Sequence, residues 1–357
     1  MANVLITGGC GFIGSNLAIR LKERYPHYRI FSLDNLKRRG SGINCQRVQK
    51  AGVEFVHGDI RCREDLDIAA PLDFIIDAAA EPSVLAGDGG ERSRDYLVNT
   101  NFTGTLNSLQ LALEHKAKFL FLSTSRVYPI EPLEAAAIHE TETRFALSAG
   151  QTLPGLSERG VGENFGLAGY RSLYGATKLA SELIIGEFNR QFGLVSVINR
   201  CGVVTGPFQM GKIDQGVVVL WLARHYWKRE LSYIGYGGTG KQVRDILNIN
   251  DLFRLIDWQM NNMEKIDGQT FNVGGGDFSS ASLRELTIHC QRITGNMIPI
   301  RPVPENRPSD LRIYMTDNAR IQAASGWSPT IPLADSLEEI FDWIRREEAL
   351  LKPILDN

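Results

Sequence analysis

The sequence predicts an α/β protein built on a doubly wound parallel sheet, accompanied by a smaller α/β domain. Three observations lead to this prediction. Short apolar runs alternate with amphipathic, helix-like stretches through the first half of the chain. The apolar runs are continuous in hydrophobicity, as is typical of strands buried on both faces of a parallel sheet. A glycine-rich turn joins the first run to the first helix-like stretch, as in strand–helix–strand units.

Six strands and the helices between them follow from these runs. The strands, in chain order, are Asn3–Thr7, Arg29–Leu33, Val53–His57, Phe74–Asp77, Phe119–Leu122 and Val195–Asn199. Helical periodicity is clear over Gly14–Arg24 and Thr103–Glu114. Short strands separated by longer helices are the spacing expected of right-handed parallel crossovers.

Two domains are expected from a change in character near Gly206. Residues 1–205 hold the regular alternation, whereas residues 206–357 combine elements in irregular order with glycine-rich breaks and proline-containing turns. No linker-like composition separates the two, so we expect interleaved domains that share a cleft. Residues 129–173 have poor periodicity, and we interpret them as an insertion in the first domain. A loop of that length usually has a function or is disordered.

Composition excludes partners that require a strong charge. Of the 357 residues, 43% are hydrophobic and 22% are charged, and the net charge is -2. This balance gives no basis for binding nucleic acid or an anionic membrane. No apolar run is long enough to cross a bilayer, and no signal-like segment precedes the first strand. The cytoplasm is therefore the expected location.

The cysteines and histidines favour neither a disulfide framework nor a metal site. The five cysteines are odd in number and include no CxxC pair, and the six histidines occur singly. Disulfide and zinc sites need paired ligands at defined spacing. We therefore expect no metal, and we expect Cys201 in the core because free cysteine is commonly buried.

A glycine-rich turn follows the first predicted strand. Gly8, Gly11 and Gly14 form a GxxGxxG pattern. The first glycine permits a tight turn, the second lets the backbone approach a pyrophosphate, and the third lets the helix pack closely on the sheet. The helix N-terminus then offers N–H groups and a partial positive charge to the phosphates. The pattern predicts a Rossmann-type dinucleotide site.

Residues at the ends of the next strands indicate which dinucleotide binds. Asp34 lies about 20 residues after Gly14, where a carboxylate accepts from ribose hydroxyls and repels a 2′-phosphate. NAD is therefore favoured over NADP, although the basic run Lys37–Arg39 argues mildly the other way. Asp59 can accept from the adenine amino group, with a plain strand-end turn as the alternative. The small residues Ala78–Ala80 let the backbone pass close to the cofactor.

Tyr174 and Lys178 form a YxxxK pattern, which places both side chains on one helix face. The lysine ammonium favours the tyrosine phenolate by charge attraction, and an oxidised nicotinamide adds a second positive charge. Tyr174 can then act as a general base. The bare pattern also occurs on ordinary surface helices. Ser123 and Thr124 favour the catalytic interpretation, because they follow a buried strand where a hydroxyl can hold a substrate alcohol.

With these motifs the chain resembles the extended short-chain dehydrogenase/reductase family, and within it the nucleotide-sugar epimerases and dehydratases. The resemblance spans nearly the whole chain. The segments that carry it, in family order, are TGGCGFIGSN, GDI, STSRVY, YGATK, KQVRDIL and FNVGGG. The longer segments DAAAEPSVLAG and NRCGVVTGPFQMGKIDQGVV are similar to those of the 2-epimerases that act on CDP-linked dideoxyhexoses.

The resemblance implies epimerisation at C2 of a CDP-linked (dideoxy)hexose through a transient 2-keto intermediate. It implies Tyr174 as the acid/base, Thr124 at the family's Ser/Thr position, and Lys178 as a further contact of the nicotinamide ribose. Bound NAD is implied as the store of hydride. The resemblance also implies a homodimer or homotetramer that pairs through the helices corresponding to Thr103–Glu114 and Tyr174–Phe192.

The motifs and the resemblance together give a set of site residues. The catalytic residues are Thr124, Tyr174 and Lys178. The cofactor contacts are Gly8, Gly11, Phe12, Ile13, Gly14, Asp34, Asn35, Asp59, Ile60, Ala78, Ala79, Ala80, Asn101, Ser123, Tyr174, Lys178 and Arg200. The substrate contacts are Ser83, Ser125, Arg126, Gln209, Lys212, Gln215, Arg244 and Arg307. The resemblance assigns Arg244 and Arg307 to the substrate pyrophosphate, which a planar guanidinium suits, and a surface salt bridge is the alternative for each.

Departures from the family pattern narrow the chemistry. Dehydratases of this family carry Asp-Glu after the threonine, whereas this chain has Ser125-Arg126 and so no acid there to expel water. The stretch before Tyr174 is longer than in simple 4-epimerases, which indicates a different pose of the sugar. Three alternatives stay open: epimerisation at another carbon or on another nucleotide sugar, dehydration, and a non-catalytic NAD-binding sensor.

Overall fold

The computed structural model describes residues 2–83, 85, 90–211 and 216–356. The strands are β1 (Asn3–Thr7), β2 (Arg29–Asp34), β3 (Glu54–His57), β4 (Phe74–Asp77), β5 (Lys118–Thr124), β6 (Ile138–Glu140), β7 (Phe145–Leu147), β8 (Leu156–Ser157), β9 (Gly160–Val161), β10 (Ser196–Cys201), β11 (Val203–Thr205), β12 (Leu231–Ile234), β13 (Val243–Asn248), β14 (Gln269–Val273), β15 (Ser280–Ser282), β16 (Ile300–Val303) and β17 (Ile313–Tyr314).

The helices lie between these strands and after the last of them. They are α1 (Phe12–Arg24), α2 (Ser41–Lys50), α3 (Glu91–Val98), α4 (Gly104–His115), α5 (Ile130–Glu134), α6 (Leu173–Phe192), α7 (Val217–Tyr226), α8 (Ile249–Met260), α9 (Leu283–Thr294), α10 (Ala319–Ser325), α11 (Leu333–Arg346) and α12 (Glu348–Leu355). A π-helical segment, Asn99–Thr103, joins α3 to α4 without a break.

Seven strands form one sheet in the order β14-β10-β5-β4-β1-β2-β3. The pairings from β3 through β2, β1 and β4 to β5 are parallel. The chain passes from β3 at one edge to β4 on the other side of β1, so the direction of winding reverses between β1 and β4. Ligands bind at the carboxyl ends of the strands at such a reversal. The predicted doubly wound parallel sheet is confirmed.

The predicted elements match the observed ones closely. Asn3–Thr7 and Phe74–Asp77 have the predicted bounds, and the other predicted strands and helices differ by one or two residues at an end. The match follows from burial, since every residue of β4 except Phe74 is buried and β5 is buried from its second residue to its last. In α1 the buried residues Leu17, Ala18 and Leu21 recur at the helical spacing that was predicted.

The chain divides into two units, one of which holds the seven-stranded sheet. That unit comprises Met1–Val127, Ser172–Arg200 and Phe253–Phe271. Its core includes Leu5, Ile75, Phe119, Phe121 and Ile198. The other unit comprises Tyr128–Arg171, Cys201–Leu252 and Asn272–Asn357. Whether the units divide the work into cofactor and substrate binding, as predicted for 1–205 and 206–357, stays a proposal.

The second unit contains short sheets and a group of packed helices. Strand β13 pairs with β11 and β17 in parallel and with β15 in antiparallel register, and β12 pairs with β16. Helices α7, α9 and α11 pack against one another. A capping box begins α9, in which Ser282 and Glu285 exchange hydrogen bonds.

Residues 129–173, interpreted from the sequence as a long loop inserted in the first domain, contain regular secondary structure. The segment contains α5 and two antiparallel hairpins, β6–β7 and β8–β9, and nearly all of it packs within the second unit. Its strands are two or three residues long, too short to show a hydrophobic period. Tertiary contacts hold them: Arg144 forks onto Glu285, and the Val161 N–H donates to the Met315 carbonyl.

Two further expectations concern cysteine and the membrane. Cys201 is buried, as predicted, and no cysteine among the described residues is in a disulfide. Among the helices of the described ranges, none combines the length and the apolar character needed to cross a bilayer. The cytoplasmic location stays a prediction.

Candidate active site

The glycine-rich turn between β1 and α1 is built for close backbone approach. Gly8 has a φ of 63°, and a Cβ on it would lie 2.7 Å from the Ala79 Cα. A Cβ on Gly14 would collide with the Gly8 carbonyl oxygen. Gly11 precedes α1 without a side-chain cap, and no acidic residue occupies the first turn, which includes Phe12 and Ile13. These features fit a pyrophosphate at the helix N-terminus.

Acidic side chains at the ends of β2 and β3 are held in place by local hydrogen bonds. The Asp34 carboxylate accepts from the Cys10 N–H at 3.0 Å and from the Leu36 N–H at 2.8 Å. Burial raises the pKa of Asp34, and these two bonds oppose that shift. Asn35 donates to Asp59 at 2.9 Å. A forked contact from Arg61 lowers the pKa of Asp59 to about 2, so Asp59 is a carboxylate acceptor at neutral pH.

The segment after β4 is fixed beside the glycine turn. Asp77 is fully buried and accepts from the Thr7 hydroxyl at 2.6 Å and the Thr105 hydroxyl at 2.9 Å. The Thr7 hydroxyl in turn accepts from the Ala79 N–H at 3.3 Å. This network gives Ala78–Ala80 one position beside Gly8. The sequence placed Asp77 at the end of a strand but did not predict that it is the buried acceptor of this hydrogen-bond network.

Asn101 lies in the π-helical segment and connects three elements. Its amide exchanges two hydrogen bonds with the Glu81 backbone, at 2.8 and 3.1 Å, and donates to the Thr177 hydroxyl at 3.3 Å. The Asn101 carbonyl accepts from the Ser181 hydroxyl at 3.0 Å. Asn101 therefore ties the segment after β4 to α6. Its predicted contact with the cofactor stays a prediction.

The predicted catalytic residues come from β5 and α6, which pack against each other. Thr124 ends β5 and accepts from the Arg126 N–H at 3.2 Å. Ser172 caps α6 by accepting from the Gly175 N–H, so Tyr174 and Lys178 lie in its first two turns. Lys178 is buried, with its Nζ 3.8 Å from the centre of the Phe121 ring in β5. The structure thus places a buried lysine, a buried tyrosine and a strand-end hydroxyl in one packed pair of elements.

A buried ion pair lies one turn after Lys178 on α6. Glu182 accepts a forked pair of bonds from Arg200, at 3.0 and 2.7 Å, and a further bond from the Ser123 hydroxyl. Both charged side chains are less than a tenth exposed. Sequence reasoning assigned Arg200 and Ser123 to the cofactor and missed Glu182, although its i+4 spacing from Lys178 placed it on the same helix face. The cofactor contacts of Arg200 and Ser123 stay predictions.

Two arginines predicted to hold pyrophosphate lie in the second unit. Arg244, on β13, donates to Asp310 at 2.7 Å and to its neighbour's carbonyl, that of Val243. Arg307 is half-buried, and its carbonyl accepts from the Asp310 N–H, so a single turn links both arginines. A guanidinium carries five N–H donors, so the two bonds that Arg244 makes here leave donors for a phosphate.

The other predicted substrate contacts are more scattered. Gln209 follows β11 and bonds back to that strand, accepting from the Thr205 hydroxyl and donating to the Val204 carbonyl. In the first unit, Ser83 is buried and accepts from the Leu85 N–H, and Ser125 and Arg126 lie partly exposed in a 3-10 turn after β5. Lys212 and Gln215 lie outside the described residues.

Comparison with known proteins shows the family to which the chain is similar. A family model described as the NAD dependent epimerase/dehydratase family matches residues 4–274. CDP-paratose 2-epimerase of Salmonella typhi is 31% identical over 348 residues, covering 95% of this chain and 98% of that protein.

Solved structures of similar proteins share the fold. The structure of dTDP-glucose 4,6-dehydratase from Bacillus anthracis in complex with NAD has a TM-score of 0.77 at 24% identity, covering 99% of this chain and 100% of that chain. UDP-glucose 4-epimerase with UDP-glucose from Thermotoga maritima has a TM-score of 0.75 at 25% identity, with coverage of 97% and 99%.

Proposed function

The chain belongs to the NAD dependent epimerase/dehydratase family, and we propose that it inverts C2 of a CDP-linked (dideoxy)hexose through a transient 2-keto intermediate. The observation that carries this proposal is the packing of α6, with Tyr174 and Lys178, against β5 and its terminal Thr124. Similarity to a CDP-paratose 2-epimerase over nearly the whole chain supports the choice of sugar and carbon.

Tyr174, Lys178 and Thr124 have distinct roles in this mechanism. Tyr174 takes the proton of the sugar hydroxyl and returns it, acting as base and then as acid. The Lys178 ammonium stabilises the Tyr174 phenolate, and its burial strengthens that attraction. The Thr124 hydroxyl holds the reacting alcohol. NAD, when bound at the glycine turn, supplies the hydride acceptor and donor for the sugar carbon.

The residues after Thr124 argue against dehydration. Ser125 and Arg126 occupy the turn that follows β5, and neither carries a carboxyl group that could protonate a leaving hydroxyl. A reaction that expels water requires such an acid close to the sugar. Epimerisation needs one acid/base group that serves both directions, and Tyr174 can supply it.

Incubation with a panel of CDP-, GDP-, UDP- and dTDP-linked sugars tests the proposal, with products identified by NMR. We expect inversion at C2 of a CDP-linked dideoxyhexose and no loss of water. Inversion at C4 would move the chemistry to another carbon, and a keto-deoxy product would make the protein a dehydratase. No turnover of any sugar by protein that holds NAD would favour a sensor.

Arg244→Ala is expected to raise KM for the nucleotide sugar about 10- to 100-fold, since a charged hydrogen bond to phosphate is worth about 1.5–3 kcal/mol. The value of kcat should change little, because the pyrophosphate is bound equally in ground and transition states. Arg229→Ala is the matched control, since Arg229 forks onto Asp356 at the surface of the same unit. An unchanged KM for Arg244→Ala would remove its pyrophosphate role.

We also propose that the chain assembles through α4 and α6. These helices pack together in the first unit and expose the large apolar side chains Leu113, Leu183 and Phe192, with Leu183 65% exposed. Exposed apolar groups on adjacent helices favour association. Light scattering should give a dimer or tetramer, and Leu183→Glu should lower its mass. Leu350→Glu, at an exposed position on α12, should not, and a monomeric wild type would contradict the proposal.

A further inference from the structure

Three side chains from three elements meet beside the predicted adenosine site of the first unit. Lys37 follows β2, Arg61 follows β3, and Tyr96 lies on α3. The Lys37 Nζ lies 3.0 Å from the centre of the Tyr96 ring, and the Arg61 Cζ lies 4.8 Å from it. Both cations are therefore within the range of a cation–π interaction with the same ring.

The two cations belong to the loops that carry predicted cofactor contacts. The Lys37 N–H donates to the Asn35 side-chain oxygen at 3.0 Å, and Asn35 donates to Asp59. Arg61 forks onto Asp59 at 2.9 and 2.6 Å. A continuous chain of polar contacts thus runs from Lys37 through Asp59 to Arg61. The aromatic ring of Tyr96 contacts the side chains at both ends of that chain. We call these three side chains, Lys37, Arg61 and Tyr96, the clasp.

We propose that Tyr96 is a cofactor-retention residue: through the clasp it holds the loops after β2 and β3 together around the adenosine half of NAD. Adenosine binds at the carboxyl ends of β1, β2 and β3 in a sheet of this order, which is where Asp34 and Asp59 lie. The negative face of the ring attracts both cations, which would otherwise repel each other. Removing the ring takes away the contact with α3 that both cations share and leaves the two loops joined through Asn35 and Asp59.

The clasp also accounts for part of the basic run Lys37–Arg39, which in the sequence argued for a 2′-phosphate. Lys37 lies over Tyr96 instead, and Arg61 is paired with Asp59. The inference rests on the proposed function in one respect. An epimerase regenerates NAD within each turnover. Slow release of NAD therefore does not limit its turnover, and it keeps the enzyme in the NAD-bound form.

The rate of NAD release tests the clasp directly. Protein loaded with radiolabelled NAD is mixed with excess unlabelled NAD, and the label still bound is counted after rapid gel filtration at intervals. Tyr96→Leu keeps apolar volume but removes the ring, and it should release NAD about tenfold faster, equivalent to about 1.4 kcal/mol. Tyr96→Phe keeps the ring and should release NAD at the wild-type rate. Lys37→Gln should show a smaller acceleration.

A matched control separates the clasp from a general loss of stability. Phe341→Leu removes the ring beneath Arg345 on α11, in the second unit, and should not change the release rate. Release from Tyr96→Leu at the wild-type rate would overturn the inference, as would equally fast release from Tyr96→Phe or Phe341→Leu. If Tyr96→Leu does not fold, Lys37→Gln decides the outcome. Failure of the proposed epimerase would appear as absent product from wild type, without any effect on these rates.

Discussion

Tyr174→Phe should lower turnover about 10²- to 10⁴-fold while leaving the protein folded and NAD bound, since this is the usual contribution of a positioned acid–base group. The substitution removes one hydroxyl from a buried side chain at the start of α6. The phenyl ring that remains fills the same space, so packing against β5 is preserved. In the proposed mechanism Lys178 keeps its charge but loses the phenolate that it stabilises, and the phenyl ring cannot accept the proton.

The measurement pairs two readouts on one preparation. Turnover of the substrate found with the nucleotide-sugar panel is followed by NMR, and NAD content is measured after denaturation. Tyr233→Phe is the control, since it removes a tyrosine hydroxyl that bonds Thr287 in the second unit. It should leave turnover near that of the wild type. A Tyr174→Phe protein with a tenth or more of wild-type activity would contradict the mechanism, and loss of NAD together with activity would make Tyr174 a cofactor contact first.

Elements with local signals were predicted well from the sequence. The glycine turn, Asp34 and the Tyr174–Lys178 pair each depend on a few neighbouring residues and on helix or strand spacing. Because the sheet is buried on both faces, strands such as β4 and β5 are continuous apolar runs, and such runs can be recognised in the sequence. These signals determined the fold class and the positions of the candidate catalytic residues.

Contacts between distant residues were not predictable in the same way. The strands of the hairpins within 129–173 are only two or three residues long. These hairpins depend on partners such as Glu285, more than 100 residues away. Tyr96 carries no motif, and its contacts with Lys37 and Arg61 arise only when three elements meet. Arg200 had a predicted contact with the cofactor, but its pairing with Glu182 depends on the packing of α6 on β10 and β5.

The Glu182–Arg200 pair predicts the largest loss of stability for a single change. Glu182→Ala should lower the free energy of unfolding by about 3–5 kcal/mol, because removing one partner of a buried ion pair leaves the other charged and unpaired. Arg200 is 7% exposed, so water cannot compensate for the lost carboxylate. The Ser123 hydroxyl, next to Thr124, loses its acceptor in the same variant.

A surface pair with the same forked geometry supplies the control. Arg29 forks onto Glu54 at 2.6 and 2.8 Å, but both side chains are nearly half exposed. Glu54→Ala should therefore cost less than about 1 kcal/mol. Urea unfolding of both variants compares two Arg–Glu pairs that differ in burial. Equal losses of unfolding free energy would show that burial is not what makes Glu182 important.

The double variant Glu182→Leu, Arg200→Met separates the pair's net contribution from the penalty of breaking it. Replacing both charges by apolar groups removes the unpaired charge, so the protein should regain most of the stability lost in Glu182→Ala. Turnover need not recover with it, because Ser123 still lacks its acceptor and Thr124 follows directly on β5. Recovery of stability and of NAD content without activity would make the pair a positioning device for the end of β5. Recovery of activity as well would make it a purely structural contact.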